Sequence, residues 1–441
     1  MQNNIQMKKL NLISIVLFIS MGNANVQAQM DNLSNMSAEW MRTGARNAAT
    51  EATDIVVYNP AAITGLSNGF HINFSNQSLF RNPSHRYDLG IGQGVQEFKQ
   101  ESSDPFLPNL YVAYKLNNWA LYSGLFIAGG GATIDYPHGS ITTDLISLGA
   151  LTAAQGAYTE VKNPMLKANS MYLTTTLGGS YAINKWFSVS TALRYVSAKN
   201  TIKSAITLST SPLDFPDMPL NLNTEDVASG LGGVISMNMS SVDHLNISIR
   251  YETKVNLDFK TNQIQDDIGL TTNGAINPRD LPAVFAFGAS YELTPKLKTN
   301  VDFNYYFQQN ADWGKSSAVT NEVPLSTLAG DAVIYAMCFQ YQATPKFLAS
   351  FGGGYTKMNF NDMEGYYSNM GTFEIVQSDN YNINMGWAYK ASDKITVNAG
   401  YMHTFYPSDQ KIKALFAQPL DVDVTVNNSI NAIALGIDFS F

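Results

Sequence analysis

The feature that most constrains the fold of this chain is an alternation of apolar and polar residues, in segments of about ten, from residue 67 onward. Alternate side chains of a β-strand point to opposite faces, so each segment has one apolar and one polar face. One segment carries its apolar residues at Leu245, Ile247, Ile249 and Tyr251, with polar residues between them. Such strands form barrels with the apolar face in lipid and the polar face in the lumen. The chain is therefore predicted to be all-β, a transmembrane antiparallel β-barrel.

Short and long connections take turns between about fourteen of these segments, an even number, as single-chain bacterial barrels require. Each short connection follows a tyrosine on the apolar face, namely Tyr114, Tyr181, Tyr291, Tyr341 or Tyr389. We predict that these tyrosines form a ring at the periplasmic interface, half in lipid and half among headgroups. The long connections are predicted to be outward loops: 78–106, 132–169, 200–226, 257–281, 308–329, 359–378 and 406–428.

The composition favours a membrane barrel over a soluble protein. Only 14% of the 441 residues are charged and 12% are aromatic, yet the mean hydropathy is −0.10. A barrel combines an apolar outer face with a polar lumen, which explains both values. The formal net charge of −8 and the lack of a basic stripe exclude nucleic acid as the expected partner. The single cysteine, Cys338, excludes an internal disulfide framework and a multi-cysteine metal site.

The N-terminus has the pattern of a secretory signal. Lys8 and Lys9 precede an apolar run over residues 10–20, and Val26-Gln27-Ala28 has the small residues of a cleavage site. Residues 1–28 are therefore predicted to be a signal peptide. The alternative is an N-terminal membrane anchor, but the apolar run is shorter than the roughly 20 residues that span a bilayer.

Residues 29–66 precede the first strand and do not alternate. A leading segment of this kind in front of a barrel predicts a plug, because it is too short to bury a core of its own. It is rich in small residues and leads to Asn59-Pro60-Ala61. In this order, directly before the strands of residues 67–441, the segment resembles the N-terminal hatch of the FadL family. This family comprises outer-membrane transporters of long-chain fatty acids and aromatic hydrocarbons, and the resemblance covers the whole mature chain.

The resemblance implies an interrupted third strand, which opens a lateral gap through which the substrate leaves into the membrane. Here the third strand, residues 119–128, runs into Gly129-Gly130-Gly131. Glycines weaken a strand and often mark a bulge or bend. The alternative is a strand that simply ends in a flexible loop.

The loop after this strand carries apolar residues at helical spacing: Ile141, Leu145, Leu148 and Leu151. One interpretation is an amphipathic helix that packs on a neighbouring element. The resemblance implies the other, since apolar residues on an extracellular loop form the first docking site for the lipid in this family.

Four arginines are candidates to bind a fatty-acid carboxylate, which needs a cation inside an otherwise apolar pocket. Arg194 and Arg250 are predicted to face the lumen from strands, and Arg42 and Arg46 come from the hatch. No catalytic, phosphate-binding, cofactor-binding or metal-binding motif occurs in the sequence. His403 is predicted to lie among outward aromatic residues, and the chain is not expected to be an enzyme.

Three functions remain for such a barrel. The first is gated, passive uptake of hydrophobic molecules across the outer membrane of a Gram-negative bacterium, as the resemblance implies. The second is a polar-solute porin, which would gain nothing from a hatch. The third is a structural or adhesive surface barrel. The expected partners are the hydrophobic solute, outer-membrane lipid and, because Phe441 lies on the predicted lipid face, the barrel assembly machinery. The chain is expected to be a monomer.

Overall fold

The computed structural model describes residues 37–210, 215–242, 244–316, 322–415 and 421–441. The predicted signal peptide and residues 29–36 of the predicted hatch lie outside the described residues. The strands are β1 (Gly69–Arg81), β2 (Ser84–Tyr87), β3 (Gln96–Lys99), β4 (Ser103–Leu116), β5 (Trp119–Tyr136), β6 (Glu160–Ala182), β7 (Phe187–Ser209), β8 (Met218–Val242), β9 (Leu245–Glu252), β10 (Asp258–Asp266), β11 (Ile276–Pro278), β12 (Ala283–Thr294), β13 (Leu297–Phe307), β14 (Ala332–Thr344), β15 (Phe347–Met358), β16 (Asn380–Ser392), β17 (Ile395–Phe405), β18 (Gln410–Ala414), β19 (Val422–Asn427) and β20 (Ser429–Ser440). The helices are α1 (Ala38–Thr43), α2 (Ile55–Tyr58), α3 (Ile141–Ala153), α4 (Leu325–Ala329) and α5 (Met363–Met370), with short 3₁₀ turns at Pro60–Gly65 and Gln308–Asn310.

Fourteen antiparallel strands in the described part of the chain close into one barrel. These strands are β1, β4 to β9, β12 to β17 and β20. Every wall neighbour is also the next wall strand along the chain, and β20 closes the barrel against β1, with Phe74 opposite Ile437. Closure removes the open sheet edges that lipid would leave without hydrogen bonds. The predicted fold class is confirmed.

The tyrosine ring lies on the outer face of the wall. Tyr181, Tyr291, Tyr341 and Tyr389 are 43% to 52% exposed at strand ends beside the short turns. Tyr114 is half-buried because its ring contacts those of its neighbours Phe70 and Trp119. The shared register of the five turns therefore marks one membrane interface, as the sequence repeat predicts. None of the helices formed by the described residues is long and apolar enough to cross a membrane.

The predicted loops 132–169 and 200–226 are wrong in part. The strands β6, β7 and β8 are 23, 23 and 25 residues long and continue far beyond the apolar band. Alternation also continues there, but its outward residues are polar, for example Lys199 and Lys203, while Ile202 and Ile206 are buried. A search for apolar outward residues misses strands that continue above the lipid.

The extracellular end is closed by a cap that consists of α3, α4, α5 and a four-stranded sheet in the order β18, β19, β2, β3. The loops that supply it are far apart in sequence, yet they share one apolar core that includes Tyr87, Trp313, Tyr366, Tyr367 and Phe373. The hatch, which includes α1, α2 and the 3₁₀ turn at Pro60–Gly65, fills the lumen below. Its helices contact the inner faces of β1, β4, β5, β14 to β17 and β20.

Candidate functional site

One side of the hatch is bound to the wall through an arginine and a row of inward glycines. Arg42 of α1 donates from Nε to Asn398 Oδ1 at 3.1 Å and from Nη1 to Ser350 Oγ at 2.6 Å. The backbone of α1 approaches the wall so closely that a Cβ atom on Gly400 would lie 2.5 Å from the backbone nitrogen of Arg42. Glycine at this wall position therefore lets α1 contact the wall backbone.

An ion-pair network holds the next part of the hatch. Arg46 is fully buried and binds both carboxylate oxygens of Asp54, at 2.5 Å from Nη2 and 3.1 Å from Nε. Its Nη1 lies 2.6 Å from Glu51 Oε1, and Lys298 of the wall pairs with the same carboxylate at 3.2 Å. These cations hold the pKa of Glu51 well below its usual range, although burial opposes them. A buried charge is tolerated only when paired in this way.

Glu39 is the hatch carboxyl with the opposite behaviour. Its Oε1 accepts hydrogen bonds from Asn73 Nδ2 and Asn398 Nδ2, both at 2.7 Å, and within the described residues its Oε2 has no hydrogen-bond partner. Burial, and then the nearby charge of Asp54, raises the pKa of Glu39 to about 8. The group is therefore mostly protonated at neutral pH.

The predicted Asn59-Pro60-Ala61 element lies against the inner wall of β6, β7 and β8. Asn59 Nδ2 donates to Asn238 Oδ1 at 2.8 Å, and the backbone nitrogen of Ala61 donates to Ser236 Oγ at 3.1 Å. The carbonyl of Pro60 accepts a hydrogen bond from Ser180 Oγ at 2.7 Å. Proline lacks an N–H group and starts the 3₁₀ turn with a fixed φ, so this turn meets the wall through its carbonyls and its later nitrogens.

The three glycines lie inside β5, which does not end there but continues to Tyr136. Register shifts fall between Ile127 and Gly129 and between Gly130 and Ala132. Each shift leaves one residue of β5 without an opposite residue on β6, which defines a β-bulge. Gly130 has φ +71°, and a Cβ atom there would lie 2.5 Å from the carbonyl oxygen of Ser170. A bulged strand continues here only because glycine accepts this conformation.

The bulges coincide with a divergence of β4 and β5. In the described residues the ladder between these strands ends at the pair Leu110–Leu125, while β4 remains paired with β1 as far as Ser103. The two chains meet again above, where Thr133 donates to Asp104 Oδ2 at 3.1 Å. We call the stretch between these points, residues 105–109 and 126–132, the seam. Pro105 and Pro108 cannot donate hydrogen bonds to a ladder. These prolines are the sequence signal for the divergence of β4 from β5, which the sequence analysis missed because it considered only the glycines of β5.

Apolar side chains lead from the lumen to the seam. Ile55, Val56 and Ile63 of the hatch pack with wall residues that include Tyr111 and Phe126. Ala128, on the β5 edge of the seam, packs both against this cluster and against a second cluster higher in the lumen. The second cluster contains Tyr172, Val196, Leu257, Phe259 and Leu281. The two clusters make a continuous apolar surface beside the seam, suited to a hydrophobic molecule.

A buried arginine that the sequence analysis missed lies beside the second cluster. Arg279 is 5% exposed, and its Nη2 lies 2.8 Å from Met370 Sδ of the cap. Its Nη1 has no partner among the described residues, and none of their carboxylates lies within ion-pair distance. Burial lowers the pKa of Arg279. Such a cation in aromatic surroundings could receive a carboxylate from a ligand. Arg279 falls in a predicted loop, where alternation gives no orientation.

The four arginines proposed from sequence are all buried, but the structure does not bring them into one pocket. Arg46 is bound by Asp54 and Glu51. Arg194 and Arg250 both pair with Glu252, and Arg250 also donates to the carbonyl of Tyr58 in the hatch. Arg42 is bound by neutral groups. In Arg46, Arg194 and Arg250, ion pairs with hatch or wall carboxylates occupy donors that a ligand carboxylate would need.

The apolar loop residues form helix α3, which begins with a capping box of Ser140 and Thr143. Ile141 and Leu145 are buried in the core of the cap. Leu148 is half-buried, and half-buried Leu151 packs against a third cluster formed by the upper parts of β7 and its neighbours. The helix therefore covers the extracellular end, and its apolar face is turned inward.

A cavity of about 730 Å³ opens at the periplasmic end, below the hatch. Polar and charged groups dominate its lining, which includes Lys115, Asn184, Asn246, Glu292 and Lys298. The two ends of the molecule thus differ in chemistry. The upper lumen is apolar near the seam, and the periplasmic mouth is polar.

These features define a class: a hatch-filled barrel of fourteen strands with an irregular β5. No family model matches the sequence, and no curated protein matches it. The chain is similar to the crystal structure of a FadL homologue of Pseudomonas aeruginosa, with a TM-score of 0.67 and 13% identity over 92% of this chain and 98% of that one. It is similar to the toluene transporter TodX of Pseudomonas putida, with a TM-score of 0.63 and 12% identity over 94% and 100%. It is similar to the toluene transporter TbuX of Ralstonia pickettii, with a TM-score of 0.55 and 12% identity over 93% and 99%. The FadL resemblance is confirmed at the level of the fold.

Proposed function

We propose that this barrel takes up hydrophobic molecules across the outer membrane of a Gram-negative bacterium and releases them sideways, through the seam, into the bilayer. The observation that carries the proposal is the end of the β4–β5 ladder at Leu110–Leu125 beside a continuous apolar surface. Each methylene of a hydrophobic solute is more stable in lipid than in water by about 0.8 kcal/mol of free energy. Release into the membrane is therefore favoured over release through the polar periplasmic cavity.

The hatch supports this function over a polar-solute porin. Its elements cross the lumen and bind the wall at Asn398, Asp302, Asn238 and Ser236. A polar solute would need a water-filled path through this region. The proposed protein is a passive transporter and not an enzyme, in keeping with the hydrocarbon channels of similar fold. Insertion by the barrel assembly machinery and a monomeric state stay predictions.

We further propose that Arg279 selects solutes with a carboxylate, such as long-chain fatty acids, over neutral hydrocarbons. A buried guanidinium with a donor left over gains most from an anionic partner. Neutral hydrocarbons would use the same apolar surface without this contact.

The experiment that tests transport compares a variant with Val at Gly129, Gly130 and Gly131 with the unaltered protein. At φ +71° a β-branched residue is strained, so the triple variant should straighten β5 and close the seam. We expect uptake of a labelled fatty acid to fall by about tenfold or more, a barrier change of 1.4 kcal/mol or more. Heat-modifiable migration on gels checks that the barrel has assembled.

The matched control carries Val at Gly90, Gly92 and Gly94, three loop glycines that also have positive φ and open space around them. Uptake by this control should stay normal. Normal uptake by a correctly assembled seam variant would contradict lateral release at this strand. In a separate arm, Arg279→Leu should reduce uptake of fatty acid but leave toluene uptake unchanged, and equal loss of both would contradict the carboxylate role.

A further inference from the structure

The outer face of the barrel carries lysines directly above its apolar band. On β6 the band runs from Tyr181 to Met171, ten residue steps, which is about 25 Å at ~3.3 Å per step and a tilt of ~40°. Lys167 lies four residues beyond Met171 on the same outward face. On β7, Lys199 and Lys203 follow the exposed Tyr195 in the same way. These ammonium groups therefore lie at the height of the outer-leaflet headgroups.

Two of the lysines face each other across the ladder. Lys167 of β6 and Lys203 of β7 are paired residues. Side chains in this relation have Cβ atoms about 5 Å apart, and like charges directly opposite destabilise a sheet. A second pair flanks Val227 of β8, because Val227 is the register partner both of Lys199 and of Lys260 on β10. We call these four residues the lysine cluster.

The carboxylates near the lysine cluster neutralise only half of it. Lys167 pairs with Asp135 at 2.5 Å, and Lys199 pairs with Glu225 at 2.5 Å. Within the residues that the structure describes, Lys203 and Lys260 have no carboxylate within ion-pair distance. The cluster thus keeps a formal charge of +2 on a chain whose net charge is −8. An anion bound between Lys167 and Lys203 would attract both ammonium groups and offset their mutual repulsion.

We propose that the lysine cluster binds the phosphate groups of an outer-leaflet lipid, of the kind that a phosphorylated glycolipid such as lipid A presents. This proposal rests on the outer-membrane placement argued above but not on the transported solute. Lysine binds phosphate as a point charge, and lysines at a membrane surface are attracted to anionic lipid headgroups. The exposed Tyr195 and Met171 below Lys203 and Lys167, together with Val227 between Lys199 and Lys260, offer an apolar surface to the acyl chains of the same lipid.

The test uses the full-length barrel in detergent micelles and measures the binding of lipid A by native mass spectrometry. In the test variant Lys167→Gln is combined with Lys203→Gln. The matched control combines Lys296→Gln with Lys346→Gln, two lysines at periplasmic turns. We expect the test variant to bind lipid A about tenfold more weakly than the unaltered protein, and the control to bind it equally well. Equal binding by the test variant would overturn the proposal.

Two further arms separate the possible sources of the phosphate and guard against misfolding. If inorganic phosphate bound the cluster as tightly as lipid A does, a soluble anion would be the ligand and the lipid assignment would be overturned.

In phosphate-free micelles, Lys203→Gln alone should raise the midpoint of thermal unfolding, because it removes the facing charge. Added lipid A should raise the midpoint more for the unaltered protein than for this variant. If lipid A raised both midpoints equally, the site would not be at this pair. The lysine variants can lose lipid A binding while fatty-acid uptake stays normal. Failure of the lipid-binding proposal is therefore distinguishable from failure of the transport proposal.

Discussion

The two sides of the lumen wall hold the hatch by different means. On the side of β14 to β17, the hatch meets glycine backbone and polar side chains, as at Gly400, Asn398 and Ser350. On the side of β4 and β5 it meets aromatic rings through Ile55, Val56 and Ile63. Hydrogen bonds fix geometry, whereas apolar contact is non-directional and tolerates sliding. We call the wall of β14 to β17, which holds the hatch by hydrogen bonds and close backbone contact, the fixed side. We call the wall of β4 and β5, which meets the hatch through apolar contacts, the smooth side. The seam lies in the smooth side.

This difference would let a filled lumen pass a solute, as the proposed function requires. The fixed side holds the hatch inside the barrel through the contacts of Arg42 and Gly400. On the smooth side, a hydrophobic molecule can replace apolar contacts with contacts of the same kind, at little cost in free energy. Val56, Tyr111 and Phe126 are the apolar contacts beside the seam that such a molecule would replace.

The largest expected effect comes from breaking the ion pair within the fixed hatch. Asp54→Asn leaves the fully buried Arg46 with Glu51, whose side chain is 40% exposed, as its remaining partner. Removing one member of a buried pair costs about 3 to 5 kcal/mol. We expect the hatch to leave its position and the barrel to conduct ions in planar bilayers, where the unaltered protein conducts little.

Glu51→Gln serves as the comparison for that variant. The side chain of Glu51 is partly exposed, so removing its charge should cost less stability than removing that of Asp54. We expect Glu51→Gln to raise the conductance only slightly. An Asp54→Asn barrel as tight as the unaltered one would show that the polar side does not hold the hatch.

A smaller effect is expected from crowding the fixed interface. A methyl group on Gly400 would lie 2.7 Å from the carbonyl carbon of Met41, so Gly400→Ala pushes α1 away from the wall. Overpacking of this kind costs about 1 to 3 kcal/mol. Hydrogen exchange of the α1 amides should become faster in this variant.

The matched change is Gly179→Ala on the outer face, where the nearest atoms to the new methyl group are 3.5 Å away. It should leave hatch exchange unchanged. Equal exchange in the two alanine variants would mean that close backbone contact at Gly400 is not what holds α1.

The smallest effect concerns pH and Glu39. The folded-state pKa of this carboxyl, about 8, lies above its ordinary value of 4.5. Its contribution to hatch stability is therefore complete below pH 4.5 and is lost as the pH rises through 8. We expect protection of the α1 amides to fall by about tenfold between pH 7 and pH 9, after correction for intrinsic exchange rates.

Glu39→Gln keeps a neutral side chain at every pH, so its protection should no longer depend on pH in this range. An unchanged pH dependence in Glu39→Gln would assign the effect to another group.

The sequence predicted the parts of this molecule that face lipid, because the bilayer imposes a period of two on every strand. The turn tyrosines and the position of Asn59-Pro60-Ala61 near the end of the hatch, ahead of the first strand, follow from that pattern and from the resemblance. Arg279 could not be predicted, because its burial depends on Met370 from a cap loop distant in sequence. The four-stranded sheet of the cap could not be predicted for the same reason, since it joins loops near the two ends of the chain, residues 84–99 and 410–427.

The measurement that tests lateral release most directly is photo-crosslinking with a fatty acid that carries a diazirine near its methyl end. The unaltered barrel, in outer-membrane vesicles, would be labelled during uptake, digested, and mapped by mass spectrometry. The account predicts adducts at residues of the seam, chiefly Phe126, Ile127 and Ala128, that an excess of unlabelled fatty acid suppresses. Adducts concentrated instead on the periplasmic cavity, at residues such as Asn184 and Asn246, would show that the solute passes the hatch and leaves downward, and would contradict release through the wall.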